Sequence, residues 1–227
     1  FTLLQAVVEM SEEDLRRSLA HLQAAEFLYE ASLFPELEYT FKHGLTYQVA
    51  YNSLLHQRRQ ALHARLVTAV EMLYADRIGE QVERLAHHAF RGESWEKAVA
   101  YLRQAGGRAT ARWAHKEAVA YFEQALEALG HLPQSRETLE QAVDIRLDLR
   151  PSLYSLGDSQ ATIERLREAE TLAETLGDQR RLLRIASDIT AYSYMVGDHL
   201  RAVETGERAL AIAVGLGDFV LQVQIST

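Results

Sequence analysis

Hydrophobic and polar positions in the second half of the chain follow a pattern that repeats every 20 residues. Between the repeated marks, apolar residues recur at intervals of three and four positions, which is the spacing of one face of an α-helix. Each mark is a glycine preceded by Leu or Val and followed by aspartate. The marks are Gly157-Asp158, Gly177-Asp178, Gly197-Asp198 and Gly217-Asp218. The pattern predicts a series of helices of equal length separated by tight turns.

Each repeat leaves room for a helix of about 16 residues, or roughly 25 Å. Glycine just past a helix end adopts the left-handed conformation readily, and the following aspartate can cap the next helix. Short turns of this kind favour antiparallel helix pairs. The predicted buried faces are Ile163, Leu166, Ala169, Leu172, Ala173 and Leu176 on one helix, and Leu182, Ile185, Ala186, Ile189 and Tyr192 on the next.

The same 20-residue offset relates two earlier segments, because Glu96–Ala105 recurs as Lys116–Ala125. Alanines stand where neighbouring helices are expected to approach closely, at Ala98, Ala105, Ala118, Ala125, Ala169, Ala202, Ala209 and Ala213. Units that bury their apolar faces only against their neighbours form a solenoid.

The order Ala118, Phe122, Ala125, with Gly106 in the preceding helix, resembles the tetratricopeptide repeat (TPR). This resemblance implies an all-α fold, a TPR-like superhelix of antiparallel helix pairs over residues 77–227. The turn at residues 131–134 should interrupt the rhythm, and Pro151 should kink the helix predicted over residues 135–156. We expect Trp95 and Trp113 to lie on helix faces in the core.

Residues 1–76 lack the 20-residue rhythm and are predicted to form a separate module. Ser11 begins a helix with acidic residues in its first turn. Two short alternating segments, residues 26–30 and 37–41, flank Phe34-Pro35 and predict a β-hairpin. A long helix is then expected from Leu45 to about Tyr74. Helix, two-stranded wing and helix form a winged-helix pattern.

The segment from Tyr39 to Leu55, with Arg58–His63 after it, resembles the region that follows the nucleotide-binding domain in STAND-class signalling ATPases. More narrowly, it is similar to bacterial proteins that join a cyclase or a transcriptional output domain to an ATPase and TPRs. In that class a histidine motif lies near the ADP β-phosphate. Here His43 and Leu45 match the motif, while Gly44 stands where the class has aspartate. The resemblance implies that His43 senses a nucleotide held by another domain.

Composition narrows the possible functions. The formal charge of −8 argues against a nonspecific nucleic-acid coat, and no apolar run approaches the length of a membrane span. We therefore expect a cytoplasmic protein. DNA binding by the winged helix is a weaker hypothesis, because acidic residues surround its basic ones. Those basic residues are Arg16, Arg17, Arg58, Arg59 and Arg65.

Catalysis and metal binding within this chain are not favoured. There is no cysteine, no glycine-rich phosphate loop and no nucleophile-elbow sequence. His56 and His63 share a helix face, but neither has a carboxylate three or four residues further on. These two and the pair His87-His88 are better interpreted as surface or packing residues than as metal ligands. We expect no cofactor in this chain, with ATP or ADP confined to a longer parent protein.

A partner-binding groove is predicted on the first helix of a late repeat, where such helices line the concave surface of a solenoid. The candidates are Arg180, Arg181, Arg184, Tyr192 and Tyr194. Both chain ends lie inside apolar patterns, residues 1–8 and 219–225, so we interpret the chain as a segment of a longer protein. The predicted function is that of a regulatory segment that senses a partner and signals to a nucleotide-binding domain. The alternative is a stand-alone TPR scaffold that binds a peptide.

Overall fold

The computed structural model describes residues 1–32 and 37–217, which form two compact units, one from Phe1 to Tyr101 and one that begins at Leu102. The first unit contains α1 (Thr2–Val7), α2 (Glu12–Ala24), β1 (Leu28–Ser32), β2 (Glu38–Phe41), α3 (Gly44–Ser53), α4 (His56–Leu73), a 3₁₀ segment (Ala75–Gln81) and α5 (Val82–Arg91). Helix α6 (Trp95–Ala111) crosses the division. The second unit continues with α7 (His115–Gly130), α8 (Arg136–Ser155), α9 (Ser159–Leu176), α10 (Gln179–Met195) and α11 (His199–Leu216). The predicted all-α class is confirmed, with one small hairpin.

The first unit begins as the sequence predicts. Ser11 caps α2 by accepting a hydrogen bond from the backbone N–H of Asp14 at 3.1 Å. Strands β1 and β2 pair antiparallel, with Leu28 opposite Phe41 and an irregularity after Glu30. The predicted hairpin is therefore confirmed, whereas Phe34 and Pro35, expected to separate its strands, lie outside the described residues. The core of this unit comes chiefly from α4 and α5, which pack against each other.

The single long helix predicted from Leu45 to Tyr74 is wrong, because Leu54 and Leu55 are extended and separate α3 from α4. Ser53 donates its hydroxyl to the Ala50 carbonyl at 2.7 Å, a local bond of the kind that competes with helix continuation. None of the residues of α3 is buried. Among the described residues, the structure has no helix that is both long and apolar enough for a membrane span.

The second unit is an array of helix pairs. Helix α8 packs against α9, α10 packs against α11, and α9 joins the two pairs. The faces predicted from periodicity are confirmed, since Leu166, Ala169 and Ala173 of α9 meet Leu182, Ile185 and Ile189 of α10 in one buried cluster. Every alanine predicted at a close approach is also buried.

The turns between these helices have the predicted conformation. Gly177 ends α9 with φ +64°, and Asp178 accepts hydrogen bonds from the backbone N–H groups of Arg180 and Arg181. Asp158 and Asp198 cap α9 and α11 in the same way. Gly217 ends α11 with φ +69°, while Asp218 and the apolar positions after it lie outside the described residues.

Helices α6 and α7 approach closely at Gly106. A Cβ at this position would lie 2.7 Å from Cε1 of Phe122, so only glycine fits here without displacing the ring. The interruption of the rhythm before α8 and the position of Pro151 inside it are as predicted. The prediction for Trp113 is wrong, because this residue occupies the turn before α7 with φ +63° and is 80% exposed. Trp95 is half-buried at the start of α6, with its ring nearly perpendicular to that of Phe90.

Candidate functional site

The first helices of the last two pairs, α8 and α10, lie side by side and are joined by ion pairs. Arg181 of α10 donates to both carboxylate oxygens of Asp144 at 2.9 and 3.0 Å and to Asp178 at 2.6 Å. These partners raise the pKa of Arg181, with the bonds to Asp144 as the largest cause. Burial opposes ionisation of Asp178, but hydrogen bonds from Arg181 outweigh it and lower the pKa of that carboxyl. Arg181 is therefore a structural cation.

Further contacts follow the same two helices toward their C-terminal ends. Nε of Arg150 lies 3.2 Å from Oδ2 of Asp188, without the alignment of a hydrogen bond. Burial raises the pKa of Asp188. Beyond this pair, the Tyr154 hydroxyl donates to Sδ of Met195 at 2.9 Å. These contacts fix the position of α10 against α8.

We call the solvent-facing side of α8 and α10 the first-helix face. Of the five predicted partner-binding residues, Arg180, Arg184 and Tyr194 are exposed on it, and Tyr194 is 70% exposed. Arg181 belongs to the ion-pair network. Tyr192 is only 6% exposed, so it does not join the others at the surface. The periodicity of α10 separates the exposed residues from Tyr192. The main partner of Arg181, Asp144, lies on another helix, so it gave no local signal in the sequence.

His43 is exposed at the point where β2 leads into α3. It is the N-cap residue of α3, with no capping hydrogen bond from its side chain. The neighbouring Lys42 pairs with Glu26 at 2.7 Å, and this bond is the main cause of the lowered pKa of Glu26. Exposed apolar side chains follow on α3, including Leu45 at 71% and Val49 at 62% exposure.

Three of the histidines considered as metal ligands come together in the first unit. Nδ1 of His63 lies 2.8 Å from Nδ1 of His88, and Nε2 of His63 lies 3.0 Å from the Tyr51 hydroxyl. The ring of His87 is 5.0 Å from that of His88. Burial lowers the pKa of all three imidazoles, that of His88 to about 4, so the cluster is neutral near neutral pH. His56 lies apart and contacts Glu93 at 3.0 Å.

Within residues 1–32 and 37–217, no group of three or more His, Cys, Asp or Glu side chains is arranged to hold a metal ion. The basic residues considered for DNA binding are largely engaged. Arg16 and Arg17 pair with acidic residues of their own helix, and Arg65 pairs with Glu9. Arg59 lies over the ring of Tyr51 at 5.2 Å. The geometry therefore does not favour phosphate binding on this unit.

The fold is that of a TPR-like helical-repeat protein. Among solved structures, the chain is similar to a Rap protein crystallised with Competence and Sporulation Factor, with a TM-score of 0.51 and 15% identity over 79% of this chain and 50% of that one. It also matches BtubC of P. vanneervenii at a TM-score of 0.48 and 16% identity, covering 76% of this chain and 89% of the other. At this level of identity the likeness to the Rap protein shows the fold alone.

Sequence comparison matches a shorter part of the chain. A protein of Rhizobium meliloti, itself uncharacterised, is 36% identical over 97 residues, which are 43% of this chain and 9% of that protein. This chain therefore matches only a small part of that relative's length. No family model matches the sequence.

Proposed function

We propose that the chain is a non-catalytic interaction segment whose repeats bind a protein or peptide partner through the first-helix face. The observation that carries this proposal is the exposure of Arg180, Arg184 and Tyr194 on a helix held rigidly by buried packing and ion pairs. Arginine and tyrosine are among the residue types that contribute most to binding energy at interfaces. The Rap protein in complex with Competence and Sporulation Factor supports a binding role for such a repeat array.

The partner's binding would act on a second module, which we propose to be winged-helix-like and to include residues 1–76. In this proposal the module couples the repeats to a nucleotide-binding domain elsewhere in a longer STAND-type protein. Three observations support it: the resemblance of residues 39–63 to that class, the lack of any buried residue in α3, and the exposure of His43 at the start of α3. A relative of which the matched segment is only 9% is consistent with a long multidomain parent.

The mechanism would be a shift of population between an ADP-bound closed state and an ATP-bound open state. A partner changes that balance only if it binds the two states with different affinity. His43 would contribute a hydrogen bond to a diphosphate oxygen in the closed state, because a neutral imidazole N–H or an imidazolium can donate to it.

The partner-binding half is tested by selecting ligands from a random peptide library with the 227-residue chain. We expect the selected peptides to lose at least tenfold in affinity for the double variant Arg180→Glu, Arg184→Glu. Arg17→Glu is the control, since Arg17 lies on α2, away from the first-helix face, and its side chain is 69% exposed. Equal losses in the control and the double variant would refute the assignment of the face.

The coupling half needs a longer protein that contains this chain and its nucleotide-binding domain. There His43→Ala should release ADP faster than the parent, while His21→Ala, an exposed histidine of α2, should not. Equal ADP dissociation rates in all three proteins would remove the nucleotide-sensing role. The stand-alone scaffold would then be the better account, provided that peptide binding persists.

A further inference from the structure

A second surface of the helical array carries several polar side chains that have no hydrogen-bond or ion-pair partner among the described residues. Helices α9 and α11, the second helices of the last two pairs, are joined where Arg208 reaches Glu170 and Glu174, each at 2.5 Å. Toward the N-terminal ends of these helices lies a groove of about 300 Å³. This volume is at the lower end of the range found for ligand sites. We call it the second-helix groove; its walls include Ile163, Arg167, Tyr192, Ser193, Val196 and Arg201.

Two hydroxyl groups in this groove lack hydrogen-bond partners within the described part of the chain. Tyr192 is 6% exposed and Ser193 is 2% exposed, yet neither Oη of Tyr192 nor Oγ of Ser193 is paired. Buried hydroxyls are nearly always satisfied, because leaving one without a partner costs free energy. Both residues line the groove, so a ligand there can supply the missing partners.

The charge of the groove selects the kind of ligand. Arg167 and Arg201 form no ion pair with any other residue that the structure describes, unlike Arg208 on the same pair of helices. The one carboxylate in the wall, that of Asp198, accepts a hydrogen bond from the backbone N–H of Arg201 at 3.3 Å as the cap of α11. The first turns of α9 and α11 also border the groove, and helix N-termini favour negative charge.

We propose that the second-helix groove binds a peptide segment in which acidic and apolar residues alternate. A carboxylate of the segment would pair with Arg167 and Arg201, and the hydroxyls of Tyr192 and Ser193 would donate hydrogen bonds to its oxygens. Apolar side chains of the segment would contact Ile163 and the half-exposed Val196. This site is formed by α9, the C-terminal end of α10 and the start of α11, and it shares no residue with Arg180, Arg184 and Tyr194 of the first-helix face, so it extends the proposed function to a second ligand.

The test uses two fluorescein-labelled hexapeptides, one of alternating glutamate and leucine and one with glutamine in place of glutamate. Fluorescence anisotropy with the full chain at low salt should show at least tenfold tighter binding of the glutamate peptide, with the difference reduced by added salt. Arg167→Gln and Arg201→Gln should each lose at least tenfold in affinity for it. Arg136→Gln should bind it as the parent does.

Tyr192→Phe separates a binding role from a structural one. This variant removes only the unpaired hydroxyl, so its thermal midpoint should not fall, while its affinity for the glutamate peptide should drop. A lower midpoint would mean that the hydroxyl already has a partner, and the proposal would fail. Equal affinity for the two peptides, or full affinity in both arginine variants, would overturn it as well. Loss of binding in Arg180→Glu, Arg184→Glu alone would assign the peptide to the first-helix face instead.

Discussion

The close approach of α6 and α7 depends on Gly106, and adding one methyl group there should destabilise the protein. A Cβ at this position would lie 2.7 Å from Cε1 and 2.8 Å from Cζ of Phe122. Carbon atoms in contact are ordinarily about 3.5–4.0 Å apart. Phe122 is only 1% exposed, so its ring cannot move away without disturbing the core. The next residue of the same helix, Gly107, has no such neighbour within 4 Å and is the matched control.

The expected magnitudes follow from two opposing effects. Replacing glycine by alanine inside a helix gains about 0.8–1.0 kcal/mol in helix propensity, and this gain applies at both positions. Overpacking by one methyl group costs about 1–3 kcal/mol, and this cost applies only at Gly106. Gly107→Ala should therefore be more stable than the parent by nearly 1 kcal/mol. The difference between the two variants, in which propensity cancels, should equal the overpacking cost.

Urea unfolding followed by far-ultraviolet circular dichroism measures both variants under the same conditions. Equal slopes against urea concentration would show that only stability has changed, so that the midpoints can be compared directly. Gly106→Ala should unfold at a lower urea concentration than Gly107→Ala. If both variants shift in the same direction by the same amount, Phe122 does not pack on Gly106, and the assigned pairing of α6 with α7 is wrong.

Three further predictions concern stability. Gly177→Ala should destabilise the protein by about 1–2 kcal/mol, because a φ of +64° strains an L-residue even though the added Cβ would meet no atom within 4 Å. Trp113→Gly should stabilise it by up to about 1 kcal/mol, because glycine adopts a φ of +63° without strain. Thermal midpoints that move the opposite way would contradict both predictions. Acid should also destabilise the first unit: the pKa of His88 is lowered from 6.5 to about 4, so the unfolded chain takes up a proton first as the pH falls between these values. For this partly buried residue the contribution should be about 2 kcal/mol, present in full above pH 6.5 and lost by about pH 4, and His88→Gln should lose less stability than the parent over that range. A flat pH profile in the parent would refute the prediction.

The turns of the second unit could be predicted from sequence because their chemistry is local. Glycine at φ +64° and an aspartate that accepts from the next N–H groups are decided by adjacent residues, as at Gly177 and Asp178. Helix faces were equally accessible, since burial follows the helical period. The small residue at Gly106 was placed by its resemblance to the TPR, and the contact with Phe122 gives that placement its physical reason.

The failed predictions involve turns in which the positive-φ residue is not glycine, and a break in the helix at two leucines. Glu93 and Trp113 both adopt positive φ and lie 20 residues apart, the same interval that separates Gly157 from Gly177. The 20-residue spacing of the turns therefore extends into the earlier helices. This spacing could have predicted the turn at Trp113, although tryptophan is not a typical turn residue. The break between α3 and α4 falls at two leucines, Leu54 and Leu55, neither of which marks a turn.

The candidate site was predictable only in part. The period of α10 identifies Arg180, Arg184 and Tyr194 as neighbours on one side of the helix. The engagement of Arg181 by Asp144 could not be anticipated, because these residues lie 37 positions apart and meet through packing of α8 on α10. Because of this packing, Arg181 holds α10 against α8 and has a structural role.

Arginine footprinting tests the central claim most directly. The chain is treated with phenylglyoxal with and without a ligand selected from the peptide library, and modified arginines are located by mass spectrometry. If the first-helix face binds the ligand, Arg180 and Arg184 will be protected, while Arg17, exposed on α2, will react as before. Protection of Arg17, with Arg180 and Arg184 still fully reactive, would contradict the account.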